Sequence, residues 1–394
     1  MGKIDILSIA KEAQIHKQKD STVVDATIGM FYDDEKKLII NDVKEAYYNI
    51  DLFETFKYGA TDGGNLFVNN AIDWVLSNKK EMIQSKYKLT GLATPGGSGA
   101  LSVIFNSYGH VNDKVLVSNL RWRYEYFTSA AKKLIHEHNM FLGDAFDLAS
   151  FEKELAYLCR IQETVIVVIN DPCQNPTGYQ LSESEWKKIV SILNKFNNNH
   201  IILVYDLAYF DYDPRGYEEA RRTFEYFMSL APHTEVLISF SASKSFAMYG
   251  VRLGGLIGLH HNESQYNYFE KNAYEDALGK WSTAPSVGVN IFNQLVNKKD
   301  SYLVTLNRLT NTLKVRGDIF IKEAKEANLA IYPYRGGFFV LVKSEKPVLD
   351  FEKLKEQGIY LIPMDEGLRI ALCGITTDEV YGLAKRIKTI INKM

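Results

Sequence analysis

The chain is poor in cysteine. Three are spread over 394 residues: Cys159, Cys173 and Cys373. An odd, sparse set without metal-ligand spacing argues against a disulfide framework, against a metal site and for a reducing compartment. No apolar run approaches the ~18 residues that a membrane-spanning helix needs. The N-terminal stretch also lacks the apolar core of a signal peptide. A cytoplasmic location without membrane attachment is the expectation. Charge of one sign is scarce too: 46 basic residues face 48 acidic ones, for a formal net charge of -2. Neither nucleic acid nor an acidic membrane surface is therefore implied as a partner. Internal repeats and low-complexity linkers are absent. What is there is ordinary globular composition, 46% hydrophobic and 24% charged. The length suits two or three domains of about 150 residues each.

The stretch Ser241-Ala-Ser-Lys-Ser-Phe-Ala-Met-Tyr-Gly-Val-Arg-Leu-Gly-Gly255 stands out. It follows an apolar run that reads as a buried strand, and its small residues read as a tight loop. Lys244 at the end of that strand is placed where desolvation lowers its pKa and frees the amine as a nucleophile. Taken alone it reads first as an ordinary solvated loop lysine. Arg252 follows eight residues later.

Similar strand-to-turn junctions recur along the chain. Val23 to Phe31 is extended and ends in a turn at Gly29. Residues 86–108 read strand, turn, helix, with the turn Thr94-Pro95-Gly96-Gly97-Ser98-Gly99. A glycine-rich turn opening a helix offers N–H groups to an anion. It matches neither the dinucleotide fingerprint nor a Walker loop. Lys114–Ser118 is a short strand leading to Trp122. Thr164–Asn170 is another, running into Asp171-Pro-Cys-Gln-Asn175-Pro-Thr-Gly178. Ser182 and Glu185 form a capping box for a helix through Leu193. The strand from Ile201 ends in Asp206, with Tyr209 three residues on. A carboxylate there is either a helix N-cap or a partner for a cationic ring, since an unpaired buried acid is costly.

These strands alternate with helical patterns from about 66 to 258, which predicts an α/β fold with a mainly parallel sheet. Ligands of such sheets bind at the carboxyl ends of the strands, where all these turns converge. After Pro285 the pattern changes to a long helical region over about 286–328. A compact α+β module follows, with strands near 338–342, 359–363 and 367–371. A capping box at Thr376 and Glu379 predicts the start of the last helix. Arg369, on a short strand, is either a surface arginine or a bidentate carboxylate clamp.

In order and spacing, these residues resemble the pyridoxal 5′-phosphate (PLP) aminotransferases of class I/II, the aspartate and aromatic aminotransferase-like group of fold type I. The specific pieces are Asn175-Pro-Thr-Gly178, Asp206-x-x-Tyr209, and Ser241-x-x-Lys244 with Arg252. The resemblance implies a large PLP-binding domain over 45–285 and a smaller domain formed by 1–44 and 286–394. It implies that Lys244 holds PLP and moves the proton. Asp206 would pair with the ring nitrogen, Asn175 and Tyr209 with the ring oxygen, and Trp122 would stack on the ring. Gly97, Ser98, Ser241 and Arg252 would bind the phosphate. Arg369, with Asn175 and the backbone at Gly29, would clamp the substrate carboxylate. Tyr58 matches a tyrosine that reaches the neighbouring subunit's site, so a homodimer is expected.

Two departures bear on substrate. The group's arginine for a distal carboxylate aligns with Leu278, which favours an aromatic or neutral donor over aspartate. The ring-stacking stretch has Leu120 and Tyr124 where the group has proline and asparagine. The expected activity is transfer of an amino group between an L-amino acid and a 2-oxo acid, by a ping-pong cycle through pyridoxamine phosphate. The alternative on the same scaffold is a PLP-dependent C–S β-lyase or a decarboxylase, because fold does not fix reaction.

Overall fold

The computed structural model describes residues 5–392. Residues 1–4 and 393–394, at the two ends of the expected smaller domain, lie outside the described residues.

Seven strands form the central sheet: β1 Lys88–Thr94, β2 Lys114–Ser118, β3 Leu134–His138, β4 Thr164–Asn170, β5 His200–Asp206, β6 Thr234–Ser241 and β7 Gly254–His260. Their order is β1-β7-β6-β5-β4-β2-β3. All are parallel except β7, which runs against both neighbours. Every residue of β6 is buried, as is every residue of β5 after His200. Helices cover both faces, so these strands read as unbroken apolar runs rather than alternating ones.

The reversal of β7 decides where the loop after Lys244 goes. Gly254 pairs with both Thr94 and Ser241. A Cβ at Gly254 would lie 2.5 Å from the Gly96 carbonyl carbon and from the Phe240 oxygen, so only glycine fits. This packing brings the residues just before β7, including Arg252, to the same sheet edge as the carboxyl ends of β1 and β6.

The C-terminal part holds a three-stranded antiparallel sheet with β10 (Gly367–Ala371) between β8 (Phe339–Lys343) and β9 (Ile362–Met364). The expected long helical region is two helices, Ser286–Asn297 and Lys299–Glu326, broken at Lys298. The capping box of Thr376 and Glu379 is present, but it caps a single turn, Thr377–Val380. Gly382, at φ +75, breaks the chain before the last helix Leu383–Ile391. The N-terminal segment crosses to this module. Val24–Asp25 pairs in parallel with Ile359–Tyr360, and Tyr32 N–H donates to the Cys373 carbonyl at 2.9 Å. The buried guanidinium of Arg316 donates to the Tyr32 carbonyl at 2.9 Å and to Asp34 Oδ1 at 2.7 Å. Segment 27–34 is thereby held against the open end of the large sheet. Among the described residues, no helix is long and apolar enough to cross a membrane.

Candidate active site

One end of the site is made by backbone. The helix Gly96–Ser107 starts directly after β1, and no side chain caps it. Its first-turn N–H groups are left for a ligand, at the positive end of the helix dipole. Gly96 has φ +74, and a Cβ there would meet Arg252 Nη2 at 2.6 Å. A Cβ at Gly97 would meet Ser239 Oγ and Ser241 Cβ at 3.3 Å. Arg252 is fixed by donation from Nη1 to Ser243 Oγ at 3.1 Å and to the Tyr249 carbonyl at 2.8 Å. Free amides and a guanidinium thus share one corner, which is anion-binding chemistry.

Lys244 sits in the middle, on the single helical turn Ala242–Ser245 that follows β6. Its Nζ donates to the Gly29 carbonyl at 2.8 Å. The faces of Tyr249, Tyr209 and Phe338 surround it at 4.8, 5.6 and 5.8 Å. Burial lowers the pKa of this amine to about 8, and the nearby charges of Arg369 and Arg252 act in the same direction. Gly29 approaches so closely that a Cβ would lie 2.5 Å from Phe339 Cζ. The Tyr249 hydroxyl accepts from Phe31 N–H at 2.7 Å and pins the same segment.

Asp206 ends β5. Burial raises its pKa to about 6, while donors from the Tyr124 hydroxyl and Ala208 N–H pull it back down. The Tyr124 bond to Oδ2 is 2.8 Å long. Asn170, beside it on β4, donates from Nδ2 to the Asp206 carbonyl at 2.9 Å and accepts from Asn175 N–H at 2.9 Å. Asn175 Nδ2 donates to Tyr209 Oη at 3.3 Å, and Asn175 Oδ1 accepts from Arg369 Nη1 at 3.3 Å. Arg369 Nη2 donates to the Thr27 carbonyl at 3.0 Å, and its guanidinium lies 4.5 Å from the centre of the Phe339 ring. Its buried Nε has no partner.

Gly97, Ser98, Trp122, Asp206, Tyr209, Ser241, Lys244 and Arg252 therefore line one cavity of about 200 Å³. Asn175, Arg369 and Gly29 join it through the hydrogen bonds above. Tyr58 does not: it is 92% exposed on the surface of the single chain. Asp206 accepts a side-chain hydrogen bond and is no helix N-cap. The sequence reading did not assign Tyr124, Asn170, Ser243, Tyr249 or the Thr27 carbonyl to the site. Tyr249 lies between Lys244 and Arg252 in the sequence, and that position was the available signal. Among the described residues there is no cluster suited to a metal ion.

The family model described as aminotransferase class I and II matches residues 21–387. The chain belongs to that family. An aromatic-amino-acid aminotransferase of Pseudomonas aeruginosa is 26% identical over 274 residues, covering 68% of this chain and 66% of that protein, just under two thirds of its length. The aromatic-amino-acid aminotransferase of Escherichia coli K12 is 24% identical over 384 residues, 94% of each chain. Among solved structures, an aminotransferase from Anaerococcus prevotii superposes with a TM-score of 0.94 at 27% identity, covering 100% of this chain and 97% of that one. An aromatic-amino-acid aminotransferase of Burkholderia pseudomallei, described as covalently bound to pyridoxal phosphate, superposes at 0.82 with 18% identity and coverage of 100% and 98%. The class I/II aminotransferase is thus a PLP-dependent enzyme of fold type I. Its residues fit that cofactor: an uncapped helix turn with Arg252 suits the phosphate, buried Asp206 suits a cationic ring nitrogen, and Lys244 has a lowered pKa suited to a carbonyl.

Proposed function

We propose that this aminotransferase takes aromatic or neutral L-amino acids as donors in preference to aspartate. The observation that carries the reading is the ring of aromatic side chains around Lys244, with Tyr209, Tyr249 and Phe338 facing its amine. Leu278 at the place of the distal-carboxylate arginine supports it, as do the relatives named aromatic-amino-acid aminotransferases. The C–S lyase and decarboxylase alternative is not favoured, because the relatives named above are all aminotransferases.

PLP, when bound, supplies a carbonyl that condenses with amines and a ring that draws off the electron pair left at the substrate Cα. In this reading the first turn at Gly97 and Ser98, with Ser241 and Arg252, holds the phosphate. Trp122 covers the ring face. The Asp206 carboxylate holds a proton on the ring nitrogen, and Asn175 and Tyr209 hydrogen-bond the ring oxygen. Arg369 binds the substrate carboxylate, with Asn175 and the backbone at Gly29 beside it. Lys244 Nζ would hold the cofactor and, once the donor amine has displaced it, would take the proton from the substrate Cα and deliver it to the cofactor carbon that bore the carbonyl. A pKa of about 8 suits an amine that must both take and give a proton near neutral pH.

The reading also assigns 45–285 to a large cofactor-binding domain and 1–44 with 286–394 to a smaller one, in a cytoplasmic homodimer. Leu52, Phe53, Phe56 and Tyr58 are all highly exposed. An apolar patch of this kind suits burial against a second copy, which is how Tyr58 would reach a partner's site. A single-turnover donor screen tests the substrate claim. Tyrosine or phenylalanine should bleach the visible cofactor band faster than aspartate; the reverse order would refute it.

A further inference from the structure

Asp206 must stay ionised to hold a proton on the ring nitrogen, yet it is buried at the end of β5. The groups around it from each packed element are few. Its β-sheet partners are Asn170 on β4 and Ser239 on β6, both uncharged. Tyr209 lies on its own loop, and Lys244 lines the same cavity. The loop after β2 contributes Tyr124, whose hydroxyl donates to Oδ2 at 2.8 Å. Arg121 of that loop is engaged with Glu125 and Glu137.

We propose that Tyr124 is a positioning residue of the reaction: its hydroxyl orients the Asp206 carboxylate and keeps it ionised. Its ring stands edge-on to Trp122, at 5.8 Å between centres and 84° between planes, so one side chain aligns both the carboxylate and the indole that line the cavity. Tyr124 is buried, and burial beside Asp206 raises its own pKa well above the ordinary value, so it remains a donor across the working pH range. A donor to a carboxylate favours the charged form. Removing the hydroxyl therefore raises the pH below which Asp206 is neutral and its hold on the ring is lost.

The inference rests on the PLP reading above, and the test separates the two. PLP release from holoenzyme is followed by dialysis across pH 5–8 for the wild type, Tyr124→Phe, Asp206→Asn and the double variant. Tyr124→Phe keeps the ring that packs on Trp122, so the expected result is an accelerated-release limb moved up by about one pH unit, at unchanged KM for the donor. In the Asp206→Asn background, Tyr124→Phe should add no further loss, as required of a residue that acts through Asp206. A Tyr124→Phe limb that coincides with the wild type would overturn the inference and leave the PLP reading standing. So would an equal, additive loss in both backgrounds. A wild-type protein that holds no PLP at any pH would overturn both.

Discussion

The two ends of the cavity are built by different means. In the reading proposed above, the phosphate end comes from two short stretches, 96–98 and 241–252, and depends on backbone: an uncapped helix turn, glycines with no room for a Cβ, and a reversed strand that delivers Arg252. In the same reading the substrate end is assembled from four separate parts of the chain: the segment of Thr27 and Gly29, then Asn175, Tyr209 and Arg369. The bond from Arg369 to the Thr27 carbonyl joins residues 342 apart in sequence. In the proposed reading, changes at the backbone-built corner should act mainly on cofactor affinity, and changes at Arg369 mainly on substrate affinity. Changes at either end should be separable in measurement.

Lys244 lies between the ends and serves both, so its loss should have the largest effect. Lys244→Ala is expected to lower kcat by about 10⁴-fold, the upper range of a positioned acid–base group. Steady-state turnover within tenfold of wild type would remove the lysine from its assigned role.

Next in size is Arg369→Leu. A charged hydrogen-bonded contact contributes roughly 1.5–3 kcal/mol, so kcat/KM should fall by about 10–150-fold while PLP retention is unchanged. If cofactor retention fell as far as kcat/KM, the two ends would not be separable.

Gly96→Ala should show the opposite pattern. The positive φ costs a non-glycine residue about 1–2 kcal/mol, and the new methyl would press on Arg252 Nη2. Cofactor affinity should fall by about tenfold with donor KM unchanged, as read by equilibrium dialysis beside a kinetic titration.

The smallest expected effect is one of pH. Lys244 must be neutral to capture a carbonyl, and burial holds its pKa at about 8, below the ordinary 10.5. The rate of PLP uptake by cofactor-free protein should rise about fivefold from pH 7 to pH 8 and level off above that. The stability term has the same sign. Folding favours the neutral amine, so the penalty for a charged Lys244 is fully present below about pH 8 and fades as pH rises toward 10.5. A rate still climbing steeply above pH 9 would mean an unshifted lysine.

The same contrast explains what was legible in the sequence. The strands Thr164–Asn170, His200–Asp206 and Thr234–Ser241 are largely apolar runs, and their ends lead to Asn175, Asp206 and Lys244 in recognisable spacing. The phosphate corner was legible because glycine and helix-opening signals are local. Tyr124 was not, because its partner Asp206 lies 82 residues away and nothing in the spacing joins them. The Thr27 carbonyl escaped for a related reason: a backbone acceptor carries no side-chain signature. The break at Gly382 was missed because a capping box marks where a helix starts and says nothing of its length.

The central claim is that one lysine, at the carboxyl end of β6, is the point where both ends of the cavity meet the cofactor. Borohydride reduction of the holoenzyme, followed by proteolysis and mass mapping, tests it directly. The account predicts a single cofactor-bearing peptide carrying the added mass on Lys244. Label on any other lysine, with Lys244 unmodified, would contradict it.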